Sequence, residues 1–213
     1  GWLDRTSGLA SIAVVAVPTF FLAMLLQLVF AKWLGVLPLA GRMSQEFSVI
    51  DAGGGVTGFT LVDSLLAGNL PAFGDALAHL VLPALTLAAY PAGLAMRLTR
   101  AAMIDILDRR HITAARALGL SEPRILFGHA MPNAVGPALT VVGLSFAYAM
   151  TGAVLVEIVF AWPGLGRYVS DAILSKDFPA ITASALVVTI CYVVMNLLID
   201  LAQAVVDPRV ALR

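Results

Sequence analysis

Charge is scarce in this chain: 12% of its 213 residues are charged and 60% are hydrophobic, with a mean hydropathy of +0.94. An average soluble domain is about 25% charged and about 45–50% apolar, so the composition argues against a soluble core. Excess of either sign is also missing, since thirteen basic residues balance thirteen acidic ones; without a bulk positive field, nucleic acid is excluded as a partner. The single cysteine, Cys191, excludes a disulfide framework or a cysteine metal cluster built from this chain alone. Lying in an apolar run, it reads as a lipid- or helix-facing filler.

Chemical motifs are missing too. The glycine-rich run Asp51-Ala52-Gly53-Gly54-Gly55-Val56-Thr57-Gly58 is not followed by Gly-Lys-Ser/Thr and lacks a strand-to-helix setting, so it is no phosphate loop but a flexible connection. ATP hydrolysis, if used, belongs to a separate subunit. Neither Gly-x-Ser-x-Gly nor His-Glu-x-x-His nor a paired aspartate motif lies within the apolar stretches, which argues against an intramembrane enzyme. His79, His111 and His129 are too far apart to form one metal site. No catalytic residue, cofactor or metal is assigned. The chain starts at Gly1 without a cleavable signal pattern and reads as a fragment of something longer.

What is present is apolar length. A hydrocarbon core about 30 Å thick needs about 20 residues of helix, and four stretches qualify, at about 9–33, 77–96, 134–156 and 181–206. They are too long and too little alternating for barrel strands, so the expected class is an all-α membrane protein, a single polytopic bundle over 1–213. Orientation follows from lysine and arginine. With the first residues inside, that side holds Arg5, Arg97, Arg100, Arg109, Arg110, Arg116, Arg124, Arg209 and Arg213, nine of thirteen. Segments 34–76 and 157–180 then lie outside and 97–133 inside. Pro83, Pro91, Gly93, Pro137, Gly143 and Gly152 read as close-packing positions, or as kinks along a path that opens and closes.

The inside segment 97–133 mixes an apolar set (Ala114, Ala115, Ala117, Leu118, Leu120, Ile125, Leu126) with Arg109, Arg110, Arg116, Glu122 and Arg124. Gly119 is expected to end one helix and Ser121 to cap the next, with Pro123 in its first turn. Two readings stand: a helix pair on the inner membrane surface, or an element that docks into a partner. Glu157 and Asp200 lie near membrane depth, where a carboxylate is costly; each reads as a structural pair or a substrate contact. Asn196 is placed to hydrogen-bond across helices.

The run Thr113-Ala114-Ala115-Arg116-Ala117-Leu118-Gly119, followed by His129-Ala130-Met131-Pro132, resembles the EAA loop of permease subunits of binding-protein-dependent ABC importers. Both alanines, the glycine and the proline keep the family spacing; Thr113, His129 and Met131 depart from it toward the dipeptide/oligopeptide/nickel branch. Further blocks resemble the same branch: Thr57-Gly58-Phe59 through His79-Leu80-Val81-Leu82-Pro83, Arg97-Leu98-Thr99-Arg100, Glu157 with Phe160 to Gly166, Asp177-Phe178-Pro179, and Asn196 with Asp200 and Asp207-Pro208-Arg209. The resemblance implies a type I ABC importer permease fold lacking its first two helices here, in a bacterial inner membrane. It implies as partners two ATP-binding cassette ATPases, a second homologous permease, a periplasmic or lipoprotein substrate-binding protein and the lipid bilayer. Its coupling residues would be Ala114, Ala115, Arg116, Gly119, Leu120 and Ser121, and its cargo peptides or related small solutes. A secondary transporter driven by an ion gradient is the alternative.

Overall fold

Two helix starts share one sequence device. In Asn69-Leu70-Pro71-Ala72 the Asn69 Oδ1 accepts the Ala72 N–H at 3.1 Å, and in Asp177-Phe178-Pro179-Ala180 the Asp177 Oδ1 accepts the Ala180 N–H at 3.1 Å. Each side chain satisfies a donor that the first turn leaves open, while proline occupies a position that needs no donor. They open the two longest helices of a computed structural model that describes residues 17–47, 56–134, 145, 149 and 152–206, with side chains through 199 and at 201.

All regular structure among the described residues is helical. Helix α1 is Thr19–Leu26 and continues as a π-helical turn, Gln27–Trp33; a short 3₁₀ turn, Gln45–Phe47, follows. Helix α2 is Thr60–Leu66, α3 Leu70–Leu107, α4 Arg110–Ala117 and α5 Glu122–Ile125, prolonged by a π turn Leu126–Ala130. Helix α6 covers 152–159, α7 is Leu165–Leu174 and α8 Phe178–Val206.

Helix α3 contains the expected span 77–96 and extends past it at both ends, into the segment expected inside. It runs without a break through Pro83, Pro91 and Arg97. At 1.5 Å per residue its 38 residues extend about 57 Å, well beyond a hydrocarbon core of about 30 Å. The apolar pattern marks only the part that suits lipid, whereas alanine, methionine, leucine and arginine between 96 and 107 are good helix formers that carry the rod onward. Helices α3 and α8 are long and apolar enough to cross a membrane; Thr19–Trp33 is a shorter apolar helix. Most of 134–156, residues 9–16, the glycines of 51–55 and the tail from 207 lie outside the described residues.

The chain divides into two units. In one, which includes 89–134, Ile106, Ile112, Ile125, Ala130 and Ala134 form a buried cluster with Ala102, Met103, Leu107, Ala115 and Leu120 packed against it. In the other, which includes 17–47, 56–88 and 152–187, Ala23, Leu82, Val156 and Phe160 are buried together, flanked by Leu26, Phe30 and Leu37. Gln27 supplies its polar tie: its Nε2 donates to the carbonyls of Leu39 at 2.8 Å and Val159 at 3.1 Å. Cys191 is exposed on α8 and Asn196 half-buried.

Candidate functional site

The six coupling positions fall on α4, the turn after it and the start of α5. Periodicity sorts them. Ile112 and Ala115, three residues apart, face inward with Leu120 and Ile125, whereas Ala114, Ala117 and Leu118 share the opposite face at i, i+3, i+4 and are exposed. The single apolar set expected from the sequence is therefore two sets. One builds the core under the turn, and the other leaves Leu118 80% exposed, with Phe127 nearby in sequence at 69%. Outward also are Arg116, Gly119 and Ser121.

Gly119 closes α4 as expected, by a doubled hydrogen-bond arrangement. Its N–H donates to the Arg116 carbonyl at 3.0 Å and the Leu120 N–H to the Ala115 carbonyl at 3.2 Å, with Gly119 at φ +78°. This is the Schellman ending, in which the glycine takes the left-handed conformation and the residues on either side pack together; here Ala115 and Leu120 both lie on the core. Ser121 stands at the cap position of α5 with Pro123 in the first turn, but its hydroxyl makes no capping bond.

A fork braces the turn. Arg116 Nε donates to Glu122 Oε1 at 2.7 Å and Arg116 Nη2 to Glu122 Oε2 at 3.3 Å. The Arg116 hydrogen bond holds the Glu122 carboxyl below its ordinary value, against a smaller opposing effect of partial burial. A depressed carboxyl stabilises fully above its unfolded value, here 4.5, and loses that share as pH falls through the lower folded value. Amide-exchange protection of Gly119 and Leu120 is therefore expected to drop below that pH in the wild type, but to be pH-independent there in Glu122→Gln. Because both partners are exposed, the loss is small; identical profiles would refute the brace.

In the other unit, three connections account for blocks that the sequence singled out without a role. Glu157 is half-buried, and its carboxylate accepts the Arg167 N–H at 2.9 Å at the start of α7. A side chain on Gly164 would collide with that carboxylate, and one on Gly166 would stand 2.6 Å from the Val154 Cα. Glycine is thus required twice by close approach, and the Glu157 carboxylate caps a helix, the structural option of the two left open. The side chain of Asp200 is not described. Second, Asp63 is 4% exposed and gathers the Thr57 N–H, the Thr57 hydroxyl and the Gly58 N–H at 2.8–2.9 Å, which fixes Thr57-Gly58-Phe59. Third, Asp75 accepts the Ser44 N–H at 2.7 Å and hydroxyl at 2.6 Å, while the buried His79 donates from Nδ1 to the Asp75 carbonyl at 2.8 Å.

Foremost among the causes, the Thr57 N–H holds the Asp63 carboxyl below its usual range, against burial, which raises it. Asp63→Asn would turn an amide donor toward one of three donors already converging there. A lower Tm for the detergent-solubilised protein, with the gap to wild type closing as pH drops below 3.8, is the expected result; a constant gap would show that the charge is not what matters. Sequence reasoning missed Asp63, Asp75 and Ser44. The only local signal was an acidic residue a few positions after a Thr-Gly pair.

Comparison with known proteins follows from these blocks. A family model described as "Binding-protein-dependent transport system inner membrane component" matches residues 1–212. The chain is 40% identical over 209 residues to a dipeptide transport system permease protein of Haemophilus influenzae, and 42% identical over 209 residues to a probable D,D-dipeptide transport system permease protein of Escherichia coli K12. It is 36% identical over 207 residues to the dipeptide transport system permease protein of Escherichia coli K12. These alignments take in 97–98% of this chain and 61% of each relative, so the chain spans about three-fifths of the length of the relatives it matches.

Proposed function

Because the chain belongs to the binding-protein-dependent transport system inner membrane components, a family of membrane proteins, we propose that it forms part of the permease subunit of an ABC importer for short peptides. The observation that carries this is the face of Ala114, Ala117, Leu118 and Gly119, solvent-exposed on a turn whose other face is anchored in a core. Leu118 stands outward there, one of many exposed apolar side chains of this chain, and a docking partner would cover it. Small residues beside it let that partner approach closely. In this reading Ala114, Ala115, Arg116, Gly119, Leu120 and Ser121 form the coupling element for a cytoplasmic ATPase, with Ala115 and Leu120 serving from below.

The same reading takes the chain as one multi-pass domain of a bacterial inner membrane, with four spans and α4–α5 on the inside. Two ATPase subunits, a second permease and a substrate-binding protein complete the assembly. ATP binding draws the coupling elements together and turns the path outward toward a loaded binding protein; hydrolysis resets it. A turn that moves as one body transmits such a stroke. Short peptides as cargo follow from the names of the relatives. The family's description names a binding-protein-dependent system, which speaks against the ion-gradient alternative.

ATP hydrolysis by the full-length complex in proteoliposomes, with and without peptide-loaded binding protein, tests the proposal. Stimulation by the loaded binding protein is expected. Unchanged hydrolysis together with uptake driven by a proton or sodium gradient would replace the importer with a secondary transporter.

A further inference from the structure

We propose that α2 lies in the lipid interface at the N-terminal end of α3, its Val62, Leu65 and Leu66 set among headgroups and upper acyl chains. The inference rests on the topology proposed above, in which this end of α3 is the outer one. Exposed apolar side chains are common in the chain, so exposure alone singles out no neighbour. What sets α2 apart is inverted polarity. Its Asp63 and Ser64 are buried, at 4% and 0% exposure, whereas Val62, Leu65 and Leu66 stand outward, Leu66 at 66%. Phe59, Val62 and Leu66 recur at i, i+3 and i+7 and share one face. A helix facing water turns its apolar stripe to the core and its polar side out; α2 does the reverse.

Hydrogen bonding and charge point to lipid as the occupant of that face. Between 56 and 74 Asp63 is the one charged residue, and its carboxylate already accepts the Thr57 and Gly58 donors. The Ser64 hydroxyl donates to the Thr60 carbonyl at 2.6 Å, and Asn69 Oδ1 is taken by the Ala72 N–H. At the far end the Gly68 N–H donates to the Leu65 carbonyl and the Asn69 N–H to the Ser64 carbonyl, both at 3.0 Å, with Gly68 at φ +65°. This is the same glycine ending as at Gly119. The segment thus turns polar groups back on itself at both ends, as a lipid environment demands because it supplies no hydrogen-bond partner. A protein partner fits less well. Protein interfaces carry a polar rim and about one hydrogen bond per 100–200 Å², and Phe59, Val62, Leu65 and Leu66 offer none. Height agrees with lipid too. Leu70 opens α3 seven residues before the expected span at 77, about 10 Å along the axis, and the headgroup layer is about 5–8 Å deep on each side. Joined to α3 through Ala67, Gly68 and Asn69, α2 meets the membrane near that layer, where helices with an outward apolar face settle.

The test uses the full-length chain, cleared of native cysteines including Cys191, with its partner permease and ATPases in phosphatidylcholine nanodiscs. Val62→Cys, Leu65→Cys and Leu66→Cys each carry a nitroxide, and its relaxation by oxygen and by a water-soluble nickel chelate is calibrated against doxyl-labelled phosphatidylcholine and a nitroxide in solution. Relaxation by oxygen in excess of that by nickel is expected at all three sites, at a depth matching the upper acyl chain. Nickel access equal to that of the nitroxide in solution would overturn the proposal by giving the face to water. Shielding from both reagents would overturn it in favour of a protein cover, either the second permease or a part of the full-length chain outside 1–213. Three sites keep the result decisive if one label disturbs folding. Hydrolysis stimulated by loaded binding protein is measured on the same samples. If stimulation is present and the labels are not in lipid, the placement of α2 alone is wrong; if the wild type shows no stimulation, the importer reading fails and the accessibility profile still decides where α2 lies.

Discussion

Gly119→Asp is expected to reach the membrane at wild-type levels and to lose substrate-stimulated ATP hydrolysis and uptake by more than about tenfold, the cost of an unpaired charge at a covered contact. Within the chain Gly119 is exposed, and a Cβ there would meet nothing within 4 Å. Crowding within the subunit therefore cannot account for a defect. Two causes remain, and they separate by substitution. The left-handed backbone at φ +78° penalises a side chain by about 1–2 kcal/mol, but asparagine and aspartate tolerate that region better than alanine. If backbone strain dominates, Gly119→Ala is the worst variant and Gly119→Asn a mild one, with losses that follow Tm. If a partner covers the turn, Asp is far worse than Asn at equal Tm, because a charge is buried without a counter-ion. Full uptake by Gly119→Asp would remove the docking role from this turn.

Legibility in the sequence followed the physics of each feature. Gly119 and Pro123 act locally, so the end of α4 and the start of α5 were readable from a few residues. The two faces of α4 were not, since an alanine reads alike whether it touches Ile106 or solvent; only the i, i+3, i+4 spacing distinguishes Ala115 from Ala114 and Ala117. The unbroken length of helix α3 was not legible because hydropathy measures what lipid tolerates, and residues 97–107 are polar enough to leave the membrane yet helical enough to continue. Asp63 and Asp75 were invisible for a different reason. Asp75 takes its donors from Ser44, 31 residues earlier, and no local pattern encodes that separation. The Phe160–Gly166 block was recognisable as a pattern, but the need for its glycines arises from Glu157 and Val154, on another helix.

Gly166→Ala is expected to destabilise the subunit by about 1–3 kcal/mol, the usual cost of forcing a methyl group into a filled interior. The new Cβ would lie 2.6 Å from the Val154 Cα and 3.1 Å from the Glu157 Oε2. A flexible side chain could swing aside, but a backbone atom of α6 cannot, so α7 must shift or α6 must bend. Either movement draws the Arg167 N–H away from the carboxylate that accepts it at 2.9 Å, and the start of α7 loses its cap together with its packing. Gly74→Ala is the matched control. Gly74 is exposed on α3 with nothing within 4 Å of its added Cβ, and alanine exceeds glycine by about 1 kcal/mol in helix propensity, so that variant is expected to melt at or above the wild-type temperature. Glu157→Gln adds the last distinction. It keeps an oxygen for the Arg167 N–H but removes the charge at the helix start, so a fall in Tm smaller than that of Gly166→Ala is expected. Thermal melting of the detergent-solubilised protein decides the matter. If Gly166→Ala melts with the wild type, the α6–α7 approach is looser than the structure has it, and the glycines of this block need another explanation.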